Sequence, residues 1–272
     1  MNTLLHSIKS TLAPLKNYPG VRYWRRSLPR NMVICSSFPK SGRTAFRFTW
    51  WVLSALIDGN EPVISWDRMN RYMPELPFNP GRGGECRDWS SSLPLLASTH
   101  RSFRLPFLGM PSVVIIRDPV KCMLSYHRFL TSRKRNRFVG SRLDFLDDPQ
   151  VGIAAWIEHT RQWSRTPCVL RFESLVSDPA GEIGKALESL GLDVPAAVVE
   201  SAVAISMNPE QVAIAERDSH IGTSFDKSFK FARLGHSVGA DASDESEDLE
   251  FRDRIAKSVQ RAGLGRYLSN TG

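Results

Sequence analysis

MVICSSFPKSGRTAFRFTWWVLSALI, residues Met32–Ile57, decides the fold. Met32–Ser37 (MVICSS) is a short, nearly continuous apolar run, the pattern of a strand buried on both faces of a parallel sheet. Pro39–Thr44 (PKSGRT) breaks the run with Pro and Gly, and an apolar helix is expected over about Thr44–Ile57. The unit is strand, Gly-containing turn, helix. Such a turn directs several backbone N–H groups at one point, and the helix dipole adds positive character there. Lys40 and Arg43 bring full charges, Ser41 and Thr44 bring hydroxyls, and Gly42 permits close backbone approach. An anion such as phosphate or sulfate suits this turn. GxxxxGK[ST] is absent, so it is not a Walker A loop.

Outward from this unit the alternation continues. Strands are expected at Leu93–Thr99, Ser112–Ile116 and Cys168–Phe172. Helices are expected near Pro119–Thr131, Gly152–Ser164, Pro179–Leu190, Pro195–Ile205 and Leu249–Gly263. Residues 58–92 and 219–248 read as polar, irregular structure, and Ser132–Arg142 as a mobile basic loop. Leu4, Leu5, Ile8, Leu12 and Leu15 have helical spacing, so a short amphipathic helix is expected within an N-terminal extension over residues 1–29. The fold class is α/β: a central parallel sheet with helices on both faces and a phosphate-loop-like strand–turn–helix. One domain is expected over residues 1–272, with its core at about 30–265, and no internal repeat is visible.

Charge sharpens the site. The 272 residues carry a formal net charge of +8. The first 57 residues hold nine basic residues and no Asp or Glu. Residues 100–142 hold ten basic residues and one acid, Asp118. Residues 58–99 have four basic and six acidic residues, and 143–272 have thirteen and twenty-one. Two basic blocks in an otherwise acidic chain point to a concentrated anion site rather than to nucleic acid. No apolar run is long enough for a transmembrane helix, and the N-terminus lacks the pattern of a signal peptide. The cysteines Cys35, Cys86, Cys122 and Cys168 are scattered and form no CxxC, which suggests neither disulfides nor zinc and fits a reducing, cytoplasmic setting.

Ile115–Phe129 (IIRDPVKCMLSYHRF) supplies a second anion-binding element. Arg117 leaves the end of the clearest strand, where open α/β sheets bind ligands. Ser125 follows about two helical turns later. Taken with SFPKSGRT, this segment resembles the cytosolic-type sulfotransferase family, which uses 3′-phosphoadenosine 5′-phosphosulfate (PAPS). Three further segments match in order: LLASTHRSFRLP (Leu95–Pro106), CVLRFESLVSDPAGEIGKALESLGL (Cys168–Leu192) and FARLGHSVG (Phe231–Gly239).

The resemblance implies roles. Lys40 contacts the bridging and sulfuryl oxygens. Ser41, Gly42, Arg43 and Thr44 cradle the 5′-phosphate. Arg117, Ser125 and Arg233 bind the 3′-phosphate, with the Gly235 backbone nearby. Phe172 takes the place of an adenine-contacting Tyr, and His100 is the general base. No metal is needed. The chain departs from the family pattern at Ala45 (commonly Trp), Ser98 (Lys) and Leu234 (Lys). The expected partner is a small-molecule, saccharide or lipid acceptor, with peripheral membrane contact open and nucleic acid not expected. Trp66, Tyr72, Phe78 and Trp89 are candidates for the acceptor pocket, or for the core of a folded insertion. Two rival readings are a nucleotide phosphotransferase and a non-enzymatic anion-binding protein. The first needs a Mg²⁺-binding acid at a strand end, and Asp118 before Pro119 fits the sulfotransferase pattern better. The second needs basic residues spread along one face.

Overall fold

The structure is a computed structural model that describes residues 31–73, 75–76, 89–103, 107, 109–217 and 245–269. The expected helix within 1–29, Phe78, and the late loop with Arg233 and Gly235 lie outside these residues.

Five parallel strands form one sheet: β1 (Met32–Ser37), β2 (Glu75–Leu76), β3 (Leu95–Thr99), β4 (Ser112–Ile116) and β5 (Cys168–Arg171), in the order β2-β3-β1-β4-β5. Every residue of β1, β3 and β4 is buried, as their apolar runs predict. Side chains alternate between faces. Met32 and Ile34 join one apolar cluster, and Val33 and Cys35 join the other. The sheet therefore carries a core on each side.

Helix α1 (Arg43–Ile57) follows β1 and lies on the second face, where Phe46, Phe48, Trp50 and Leu53 are buried. Burying each such side chain contributes ~1.5–3 kcal/mol. Between residues 58 and 92, expected to be irregular, the chain forms helix α2 (Trp66–Tyr72) and the edge strand β2. A two-residue strand leaves almost no periodic signal, which is why the sequence pattern misses it. Helix α3 (Pro119–Thr131) follows β4 and buries Cys122, Met123 and Leu130 on the first face. Its start is set by the Asp118 carboxylate, which accepts from the Lys121 amide, and by Pro119 in the first turn.

The remaining α-helices among the described residues are α4 (Arg142–Asp147), α5 (Ile153–Trp163), α6 (Phe172–Ser177), α7 (Pro179–Ser189), α8 (Ala196–Ser206), α9 (Pro209–Arg217) and α10 (Glu245–Arg261). Phe172, read as the end of β5, instead opens α6. No helix among the described residues is long and apolar enough to cross a membrane.

From β1 the chain runs toward β2 and β3, and from β4 toward β5. Strands β1 and β4 are neighbours, and their following helices lie on opposite faces. This opens a crevice at their carboxyl ends, the switch point where open α/β sheets bind ligands. Both basic segments of the sequence start there.

Candidate active site

The turn after β1 is built by two residues in the left-handed region. Lys40 has φ 65, and Gly42 has φ 90 and ψ 8. Gly42 is the N-cap of α1, with no side-chain cap and no acid in the first turn. The Ala45 amide donates back to the Gly42 carbonyl at 3.1 Å, and the helix start lends the turn positive potential. Glycine here serves a second purpose. A β-carbon at 42 would lie 2.1 Å from Phe172 Cδ2, so the Phe172 ring rests directly on the turn.

Arg117 joins the same group. Its guanidinium lies 4.5 Å from the Phe172 ring centroid, and its Nη1 donates to the Lys40 carbonyl at 2.9 Å. Its Nε is buried without a hydrogen-bond partner among the described residues. Burial lowers the Arg117 pKa from its ordinary value. A buried cation with an unsatisfied donor at a strand end is suited to an anion. Lys40 projects its Nζ over the Phe129 ring of α3, 5.1 Å from the centroid.

Ser41 and Arg43 are placed differently from the expected cradle. The Ser41 amide donates to the Phe38 carbonyl (3.2 Å). Cys122 Sγ donates its single proton to the Pro39 carbonyl (3.3 Å), so the Ser41 hydroxyl donates to the sulfur (3.5 Å). Both Ser41 donors brace the turn from below. Arg43 is buried and its Nη2 donates to Glu75 Oε1 at 2.9 Å. Its charge is held by Glu75 at the β2 edge. Thr44 stays half-buried in the first turn of α1. Ser125 is half-buried on α3, and no described contact joins it to Arg117.

His100 follows the last residue of β3. Its Nδ1 lies 2.8 Å from the Ser37 carbonyl. A carbonyl only accepts, so Nδ1 carries the proton and Nε2 keeps its lone pair. Burial, then the Arg43 charge, hold the imidazole well below the usual histidine range. The side chain is still 34% open to solvent, so its desolvation is partial. Both causes act in one direction, and the ring is neutral at pH 7.

Glu75 is the residue that the sequence reading missed. Its Oε1 is 3.9 Å from His100 Nε2 while it accepts from Arg43. Burial works to raise the Glu75 pKa, but Arg43, His100 and the Arg43 hydrogen bond outweigh it and leave the carboxyl below its ordinary value. The register explains the encounter: Glu75 pairs with Ser98 and Leu76 with Thr99, which sets β2 beside the strand end that carries His100. One lone Glu in a polar segment gives no motif to find it by.

The acid needed by a metal-dependent phosphotransferase is committed elsewhere. Asp118 is 3% exposed, caps α3 with Oδ1, and accepts the Ser269 amide on Oδ2 at 2.6 Å. Of the aromatic candidates, Trp66 is buried against Phe48. Tyr72 and Trp89 pack with Trp51. These contacts fit the core of an insertion.

No protein-family model matches the chain. Among curated proteins it is similar to sulfotransferase 1A1 of Rattus norvegicus, 27% identical over 224 residues, covering 74% of this chain and 70% of that protein. The Mus musculus sulfotransferase 1A1 is 25% identical over 228 residues, covering 72% and 75%. Among solved structures, a retinol dehydratase in complex with androsterone and the inactive cofactor PAP shares the fold, with a TM-score of 0.61 and 16% identity, covering 86% of this chain and 82% of that one. A mouse sulfotransferase complexed with PAP covers 90% of both chains with a TM-score of 0.57 and 13% identity. The fold is the sulfotransferase fold, the two basic motifs meet at its switch point, and over about three quarters of its length the chain is similar in sequence to sulfotransferases.

Proposed function

We propose that the protein transfers a sulfuryl group from PAPS to a hydroxyl or amine of a small-molecule, saccharide or glycolipid acceptor, with His100 as general base. The observation that carries this reading is the His100 tautomer. With Nδ1–H fixed on the Ser37 carbonyl, the Nε2 lone pair is left at the crevice on a ring that is neutral at pH 7.

The residues fit the donor. PAPS, when bound, supplies the activated sulfuryl group and about four negative charges. The uncapped start of α1 and Lys40 offer donors and charge for the oxygens of its 5′ end. The unsatisfied, buried Nε of Arg117 suits a phosphate, and the Phe172 ring offers a flat apolar face for a base. Ser125, Arg233 and Gly235 complete the proposed 3′-phosphate contacts. On the acceptor side, Nε2 of His100 takes the proton as the acceptor oxygen attacks. Glu75 then faces the imidazolium it creates. In-line displacement with charge growing on the leaving phosphate makes positioning and fixed cations the main contributions, as in phosphoryl transfer.

Labelled PAPS with a panel of phenols, sugars and lipid extracts tests the activity. His100→Ala is expected to keep its affinity for 3′-phosphoadenosine 5′-phosphate (PAP) and to lose roughly 10²–10⁴-fold in turnover. Near-normal turnover would remove His100 from the base role, and failure of the wild-type protein to bind PAP would sink the reading as a whole.

A further inference from the structure

We infer that the acceptor is itself an anion, recognised by Arg133 beside Lys40; this rests on the sulfotransferase reading above. The Phe129 ring carries two cations: Lys40 Nζ at 5.1 Å and the Arg133 guanidinium carbon at 5.9 Å from its centroid. The ring is held in place by Tyr126, stacked on it at 6.2 Å, and Tyr126 is in turn fixed edge-on by Phe38 and Phe145. Arg133 is thus tied to the same rigid aromatic group as the lysine assigned to the sulfuryl oxygens. The loop that follows adds Lys134, Arg135 and Arg137, all exposed.

Among the described residues Arg133, Arg135 and Arg137 form no ion pair, and the acids of the following segment have other partners. Asp144 accepts the Ser141 amide in the capping box of α4. Asp147 pairs with Arg254, and Asp148 accepts the Gln150 and Val151 amides. Asp248 is taken by Arg142. Like charges gathered on one ring and one loop repel each other, and an anionic group brought between them relieves that repulsion. A donor already matched by Lys40, the α1 N-terminus and Arg117 leaves Arg133 for the other substrate. The reaction is unchanged in its balance: the acceptor oxygen forms a bond to sulfur, the bond from sulfur to the 5′-phosphate oxygen breaks, and the acceptor proton goes to His100. The inference concerns the group next to that hydroxyl, a carboxylate or sulfate.

The test uses the full chain loaded with PAP and two matched acceptor pairs, 4-hydroxyphenylacetate against its amide, and methyl glucuronoside against its amide. Calorimetric affinities are expected to favour the anion roughly tenfold or more in at least one pair. Arg133→Ala is expected to bring that ratio to within about twofold of unity, and Arg133→Lys to keep most of it, while PAP affinity reports that each variant is folded. No anion preference in either pair, or a preference that survives Arg133→Ala, overturns the inference. Weakened PAP binding with an unchanged ratio also overturns it and assigns Arg133 to the donor. Loss of binding to vesicles of equal phosphatidylglycerol and phosphatidylcholine in Arg133→Ala, with the acceptor ratio unchanged, overturns it in favour of a membrane contact. Failure of the wild-type chain to bind PAP is the separate failure of the sulfotransferase reading.

Discussion

Gly42 and Phe172 touch so closely that no side chain fits between them: a β-carbon at 42 would stand 2.1 Å from Cδ2 and 2.3 Å from Cε2 of the ring. The two residues come from the turn after the central strand β1 and from the start of α6, which follows the edge strand β5. Their contact brings the Phe172 face, and Arg117 stacked on it, against the turn assigned to the donor.

Gly42→Ala therefore meets two penalties. The left-handed backbone at φ 90 costs a non-glycine residue about 1–2 kcal/mol, and displacing the ring adds about 1–3 kcal/mol. A lowered denaturation midpoint and weaker PAP binding are expected together. In the double variant with Phe172→Ala, the steric part should return and the backbone part should not, giving a coupling energy in a double-mutant cycle. Strict additivity would contradict the contact.

Arg117→Ala removes a charged donor group, worth about 1.5–3 kcal/mol when it is bonded to a ligand. PAP affinity is expected to fall roughly 10- to 100-fold, while affinity for adenosine 5′-phosphate, which has no 3′-phosphate, falls much less. Equal losses for the two nucleotides would move Arg117 from the 3′-phosphate to the general support of the turn, through its bond to the Lys40 carbonyl.

The His100–Glu75 pair predicts the pH dependence of turnover. The base must be neutral, and burial with Arg43 keeps its pKa below the ordinary value of 6.5. Turnover is thus expected to persist as pH falls through 6.5, whereas an unperturbed histidine would lose half its base form there. Glu75 acts in the opposite sense, favouring the imidazolium. Glu75→Gln should weaken the base, lowering kcat by at most about tenfold per pKa unit lost, with little change in PAP affinity. Glu75→Asp should recover part of it. A kcat profile with its midpoint at 6.5, unmoved in Glu75→Gln, would refute the coupling.

His159 predicts the pH dependence of stability. It is 2% exposed, lies 3.2 Å from Ser36 Oγ, and is pushed down to about 3 by burial, then by Arg43. Its folded pKa is depressed, so below 6.5 the unfolded chain binds a proton that the folded chain does not. Its effect on stability is absent above 6.5; between 6.5 and about 3 it destabilises by up to ~1.4 kcal/mol per pH unit as pH falls. Chemical denaturation at pH 7 and 5 should show a shallower loss in His159→Gln than in the wild-type protein. Identical slopes would mean that His159 titrates normally.

The strand–turn–helix at Met32–Ile57 and the Arg117 segment were legible because their physics is local. Continuous apolar runs specify buried parallel strands, Pro119 and Asp118 specify the start of α3, and Gly42 marks the turn. Order along the chain then placed His100 between the two motifs. What the sequence left open depends on pairing across long separations. Glu75 reaches His100 only because β2 registers against the end of β3, and Arg43 turns from the anion turn to that carboxylate. Phe129 has Arg133 four residues along the chain, but gains Lys40 only when the turn after β1 meets α3. Side-chain identity and spacing therefore determined the strands, the turn and the class of chemistry. The tertiary structure alone decided which charges face one another, because electrostatic partners are set by distance in space and not by distance along the chain.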